Sequence, residues 1–349
     1  MKLNFVSTLS LNNSLRASTL NKQVALNEAQ MEVTTGKHAD IGRELGAFTS
    51  SSISLEKQVL LIDQITITNS VMRNGMSTMQ QAMTSTIDQA NDFIGQLATE
   101  LSDDLDPGFL SSLGNTMLEG MTSRVNVTFK GEYLFSGLNT DSKALVTYGE
   151  GDGVAAQTAV QNAFFTTFGF NANDPAAQAL TTTDIENFIN GAFDTLFDDT
   201  NWETLWSGSS DRGRKSKISS NEFTENSTTA FNQAFRTVTA ASVLIAEFGD
   251  ANLDPNTMDK LVNITVTKMS VGISEMGKEQ ANLGLVEGRV NTAEEQMSFQ
   301  KNILQTQLSD LTDVDPYTAA LNLNQLTTSL EASYAATSRI QSLSLLNFI

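Results

Sequence analysis

The sequence predicts a mainly α protein, an antiparallel long-helix rod or coiled-coil bundle formed by both chain ends, with a small α+β or β-rich domain inserted in the middle. Three observations predict it. Apolar residues recur at alternating 3/4 spacing over two very long stretches, one near 50–102 and one near 262–311. All four prolines follow an aspartate, at 106–107, 174–175, 254–255 and 315–316. Between 131 and 225 the helical period is lost, and Gly, Asp, Thr and Phe become frequent.

Taken in order, the segment from about 4 to 35 carries Ala17, Leu20, Val24, Asn27 and Met31 at helical spacing. The next helix, about 50–102, bears the seam Met72, Met76, Met79, Met83, Ile87, Ala90, Ile94, Leu97 and Leu101, coiled-coil-like with one slip. Asp caps the free N–H groups of a first helical turn, and Pro fits the first helical position, where its missing N–H costs nothing. The four Asp-Pro pairs therefore predict helix starts near 107, 175, 255 and 316. Shorter helices are expected at 107–129 and 227–248. The stretch "GEYLFSGLNTDSKALVTY" reads as a β-hairpin, with Tyr133-Leu134-Phe135 turning at Gly137–Asp141 into Leu145–Tyr148. Segments 158–168 and 184–206 fit no single pattern. The seam from Val262 to Leu311 alternates steps of 4 and 3 throughout, although Gln280, Glu287, Glu294 and Lys301 are polar. It predicts one helix of more than 50 residues, longer than a globular core usually needs. A last helix, 316–347, carries Leu323, Leu326, Leu330, Tyr334 and Thr337.

Three domains follow: 1–40 with 313–349 as a terminal helical assembly domain, 41–145 with 227–312 as a helical rod domain with the hairpin near 131–150, and 146–226 as an inserted variable domain. The ends differ sharply in charge. From 313 to 349 only Asp313, Asp315, Glu331 and Arg339 are charged, whereas 146–225 holds 12 acidic and 4 basic side chains. The last ten residues include Ile340, Leu343, Leu345, Leu346, Phe348 and Ile349. Chain ends are normally polar and frayed. Fully burying one Leu or Phe is worth about 1.5–3 kcal/mol, and two lone helices cannot bury all these side chains. Subunit or partner contact is accordingly expected at Phe5, Leu9, Leu20, Val24, Met31, Leu323, Leu326, Leu330, Tyr334, Ile340, Leu343, Leu345, Leu346 and Phe348.

Composition narrows the function classes. Forty acidic against 21 basic side chains, for a net charge of -19, argue against nucleic acid and anionic membrane as partners. Cys is absent, which removes disulfides, thiolate metal sites and Cys nucleophiles. No run of about 18 apolar residues exists to span a membrane. The opening "MKLNFVSTLSLNNSL" has no continuous apolar core, so no cleaved signal peptide is expected. The single histidine, His38, sits in a Gly-flanked connector and reads as a solvated loop residue. Carboxylate groups at Asp103/Asp104/Asp106, Asp198/Asp199 and Glu294/Glu295 read as caps or solvated faces rather than acid–base pairs. "RGRKSK" (212–217) is the one basic run and reads as a loop; "GEGDG" (149–153) lacks the context of a phosphate cradle. The methionine seam reads as core filler whose flexibility suits a joint between differing neighbours. No cofactor, no metal and no enzymatic activity are expected.

The chain resembles the flagellin family, most closely its hook–filament junction branch. The resemblance rests on "LTTSLEASYAATSRIQSLSLLNFI" at the C-terminus, "GEYLFSGLNTDSKAL", "LGLVEGRVNTAEEQ" (283–296) and "LNEAQMEVTTGKHADIG" near the N-terminus. It covers about 1–145 and 227–349. Lys143-Ala144-Leu145 stand where the family often has Pro-Phe, and "HADIGRELGAF" stands where it often has Asp-Asp-Pro. The resemblance implies a structural adaptor of the extracellular flagellum joining hook to filament, exported unfolded through the type III apparatus. Its implied partners are identical subunits in a ring, a preceding hook-associated protein, flagellin, and an export chaperone at the C-terminal helices. A divergent flagellin forming the filament and a cytoplasmic helical binding or signalling rod are the alternatives.

Overall fold

The computed structural model describes residues 8–100 and 107–346. The chain is mainly α, with long helices from both ends packing together and four short strands, among the described residues, in the middle. It divides into two compact units, residues 1–63 with 296–349 and residues 64–295.

In the first unit, α1 (Thr8–Thr35) lies antiparallel to α10 (Pro316–Leu346). Lys22 Nζ donates to the Ser329 carbonyl at 3.3 Å and to Ser333 Oγ at 2.7 Å, and Gln23 Nε2 donates to the Tyr334 hydroxyl at 2.5 Å. The helices are also tied through their connectors: His38 N donates to Thr312 O at 3.0 Å and Val314 N to Gly36 O at 2.9 Å. A short helix α2 (Ile41–Leu45) follows α1, capped by Asp40 Oδ1 accepting from Arg43 N. The long helix α3 (Thr49–Glu100) contributes its first turns to this unit, and α9 (Pro255–Thr312) its last. There Lys301 Nζ meets Asp63 Oδ1 at 2.5 Å.

In the second unit the rest of α3 runs antiparallel to the first part of α9. Arg73 reaches Asn291 Oδ1 at 3.0 Å and Glu294 Oε2 at 3.2 Å, while Gln280 Nε2 donates to Gln80 O at 3.2 Å and Thr84 Oγ1 at 2.8 Å. Three of the four polar seam positions on α9 thus find partners on α3. The seam side chains Met72, Met76, Met79, Met83, Met269, Met276, Leu283 and Val290 are buried, as 3/4 spacing requires of a helix pair packed along its length.

Proline placement agrees with the sequence reading. Pro107 opens α4 (Pro107–Val125), Pro175 a 3₁₀ turn, Pro255 α9 and Pro316 α10. The preceding aspartates at 174, 254 and 315 each accept a hydrogen bond from a backbone N–H of the first turn. α4 ends at 125 rather than 129 because the chain turns there into the hairpin of β1 (Thr128–Phe129) and β2 (Glu132–Tyr133).

That hairpin lies one step earlier than the sequence reading placed it. Lys130 and Gly131 both have positive φ, 55° and 85°, which is the two-residue primed turn that matches strand twist. Residues 145–148 do not pair with 133–135. Leu145 instead exchanges two hydrogen bonds with the side chain of Asn126, and Val146 N donates to Trp206 O.

The middle of the chain is more helical than its composition suggests. It holds α5 (Val154–Phe168), α6 (Thr182–Phe188), the single turn α7 (Asp199–Asn201), and two π-helical turns at Ile189–Phe193 and Trp202–Trp206. A second hairpin pairs β3 (Lys215–Lys217) with β4 (Phe223–Glu225). α5, α6 and the two π-helical turns share one apolar core with α4 and with α8 (Gln233–Phe248), which is buried along nearly its whole length. Phe248 stacks on Phe164 at 5.2 Å and meets Phe188 edge-on at 5.7 Å; Trp206 stacks on Phe197 at 4.6 Å and on Tyr148 at 5.7 Å. α8 begins at 233 rather than 227 because Asn232 Oδ1 caps it by accepting from Ala234 N.

Candidate functional site

The expected contact surface was placed on the two terminal helices. Within their described side chains, Ala29 is the one fully buried residue of α1 and Ala319 the one of α10. The side of α1 partly covered includes Leu15, Thr19, Lys22, Leu26 and Ala29, a run with steps of 4, 3, 4 and 3. Leu20, Val24 and Met31 form a neighbouring stripe that remains 54%, 58% and 53% exposed. α1 therefore has a mixed stripe partly covered within the chain and a neighbouring apolar stripe that stays exposed.

α10 repeats the arrangement. Leu323, Leu326 and Leu330 are half-buried, and Tyr334 is about half exposed with its hydroxyl accepting from Gln23. Tyr317 and Leu321, 79% and 56% exposed, lie roughly half a turn around the helix from Leu326. Sequence reading missed these two, although their spacing of four was visible; the stronger seam through Leu323 and Leu330 masked them. Val33 on α1, also exposed, was missed as well. Phe5 and Phe348 lie outside the described residues, and so do the side chains of Leu9, Ile340, Leu343, Leu345 and Leu346.

The same unit exposes Ile53, Leu60 and Leu61 on α3 and Phe299 and Ile303 on α9. Exposed apolar side chains that gather into a large patch mark a protein–protein contact. Glu28 and Arg43 form a bidentate pair at 3.1 and 2.8 Å. Its hydrogen bonds hold the Glu28 carboxyl below its ordinary pKa. His38 Nδ1 lies 3.8 Å from Glu32 Oε1 in the connector. Among the described residues no group of three or more His, Cys, Asp or Glu is arranged to hold a metal, and no helix is long and apolar enough to cross a membrane.

The site is thus a pair of helices from opposite chain ends, packed on each other, that leave apolar side chains of both exposed. The chain belongs to the flagellin family: the bacterial flagellin N-terminal helical region matches residues 6–140, and the bacterial flagellin C-terminal helical region matches residues 266–349. No curated protein matches it. Among solved structures it is similar to one from Vibrio parahaemolyticus assigned to the flagellar hook-associated proteins, with 12% identity and a TM-score of 0.54, covering 77% of this chain and 99% of that one. FlgL of Bacillus cereus aligns with 9% identity and a TM-score of 0.48, covering 73% and 98% of the two chains. The protein is thus a structural component of the extracellular bacterial flagellum that assembles with other flagellar components.

Proposed function

We propose that this protein is the adaptor between hook and filament, assembled as a ring of identical subunits through its terminal helices. The observation that carries the reading is the pair of unused stripes, Leu20, Val24 and Met31 on α1 and Tyr317 and Leu321 on α10. A subunit of a closed ring needs apolar faces beyond those that hold its own helices together, because each face not covered in cis is covered by a neighbour. One side of the ring would meet a preceding hook-associated protein and the other the first flagellins.

The same helices fit export in an unfolded state. α1 and α10 bury few side chains against each other, so little packing is lost when they open. An export chaperone would cover the apolar side of α10 until secretion. A filament-forming flagellin would use the same faces, and the two readings differ in copy number. Labelled antibody on isolated flagella tests the proposal: a narrow band of few copies where hook meets filament supports it, and label along the whole filament makes the protein a flagellin.

A further inference from the structure

The second unit carries two oppositely charged hollows that share strand β2. Glu132 lines an apolar groove of about 420 Å³ floored by Met76, Phe129 and Leu138. Lys130, Arg214 and Lys215 stand around it. Tyr133, the next residue, lines a polar cavity of about 700 Å³ that bears Asp141, Glu150 and Asp152 against the single base Lys143. Successive residues of a strand point to opposite faces. The cationic groove and the acidic cavity therefore open on opposite sides of the β1–β2 hairpin.

Most of these charges form no ion pair among the described residues of the chain. Arg214 is engaged by Glu132 at 3.2 Å. Lys130, Lys215 and Lys217 form no ion pair within 4 Å among the described residues, although Glu225 stands across the ladder from Lys215, and neither Asp141, Glu150 nor Asp152 forms one. Lys217 instead lies 6.0 Å over the ring of Phe223, itself an exposed aromatic on the edge of the β3–β4 hairpin. In a chain of net charge -19, the run at 212–217 is a rare concentration of positive charge, and the groove beside it supplies apolar area.

We propose that the cationic face of one copy docks against the acidic cavity of a second copy, head to tail. A single chain cannot satisfy both patches, because they face opposite ways. Complementary patches on opposite sides of one subunit generate a heterologous contact, which closes into a ring or propagates as a helix. Such charge pairing fixes register and favours the correct neighbour. The inference rests on the reading that this chain assembles with its own copies, and it adds the lateral surface to the terminal one.

Because the chain has no Cys, engineered cysteines report without background. Full-length Lys215→Cys protein is mixed with full-length Asp152→Cys protein carrying a different tag, at low ionic strength under mild oxidation. The expected result is a disulfide heterodimer that fades as salt is raised. Yield no higher than that of a control pair, Lys215→Cys with Thr158→Cys, overturns the inference. In flagella, the triple reversal Lys130→Glu, Lys215→Glu, Lys217→Glu should lower incorporation by about tenfold or more, and adding Asp141→Lys, Glu150→Lys, Asp152→Lys to the same chain should restore it. Full incorporation of the first triple variant, or failure of the second to rescue a folded chain, contradicts the contact. Absence of the unaltered chain from flagella would defeat the functional reading alone, since the mixed-cysteine experiment still decides the contact in solution.

Discussion

Gly114 shows how single residues position this fold. A Cβ there would lie 2.3 Å from the backbone nitrogen of Ala246, so α4 and α8 touch backbone to backbone at that point, and Ser111 Oγ seals the contact by donating to Ala246 O. Gly114→Ala should destabilise the second unit by about 1–3 kcal/mol, the usual range for overpacking, read as a lower denaturant midpoint at unchanged slope. Glu28 belongs to the same scale. Its folded pKa is lowered by Arg43, so its contribution is present above the unfolded value and is lost as pH falls through the folded one. The pair is exposed, which keeps that contribution small. An NMR titration of the Glu28 carboxyl should give a midpoint below that of a free glutamate, and Arg43→Ala should return it to the ordinary value. Neither feature was legible in the sequence: Gly114 looks like any glycine in a helix, and Glu28 and Arg43 stand 15 residues apart with a connector between them.

Among elements, the long pair α3 and α9 was legible because its signal is redundant. A seam repeated over dozens of residues survives several polar exceptions, and each Asp-Pro pair marks a boundary through local chemistry alone. Stability in this pair should come from the methionines rather than the charges. Met76 is fully buried, and Met76→Ala should cost about 2–5 kcal/mol. Lys301→Met, which removes a half-exposed ion pair to Asp63, should change stability by less than about 1 kcal/mol; thermal unfolding of both variants checks the contrast. The first hairpin was misplaced for a physical reason. Its turn needs a lysine in the left-handed region at Lys130, which propensity disfavours, whereas the Gly137–Asp141 stretch has ordinary turn composition and forms a turn without strands beside it. The interruption of the pattern at 184–206 also has a cause: two π-helical turns shift the helical period so that Phe193, Trp202 and Trp206 all reach one core.

On the scale of the whole molecule, the two compact units divide the labour. Residues 64–295 hold the large aromatic and methionine core, while the unit containing both chain ends leaves much of its apolar surface uncovered. The exposed Leu20, Val24 and Met31 were legible in the sequence as part of a charge-poor N-terminal helix, while the apolar side chains of the last ten residues lie outside the described residues. Which stripe stays free was not, because α1 carries Leu side chains on two adjacent stripes and the choice depends on its packing with α10. The central claim is that the terminal helices serve assembly rather than the fold of the middle. Deleting 316–349 tests it most directly, with incorporation into flagella and the melting of residues 64–295 measured on the same variant. The account predicts that incorporation is lost while the cooperative transition of 64–295 stays at its original temperature. Retained incorporation, or collapse of that transition with the deletion, would contradict it.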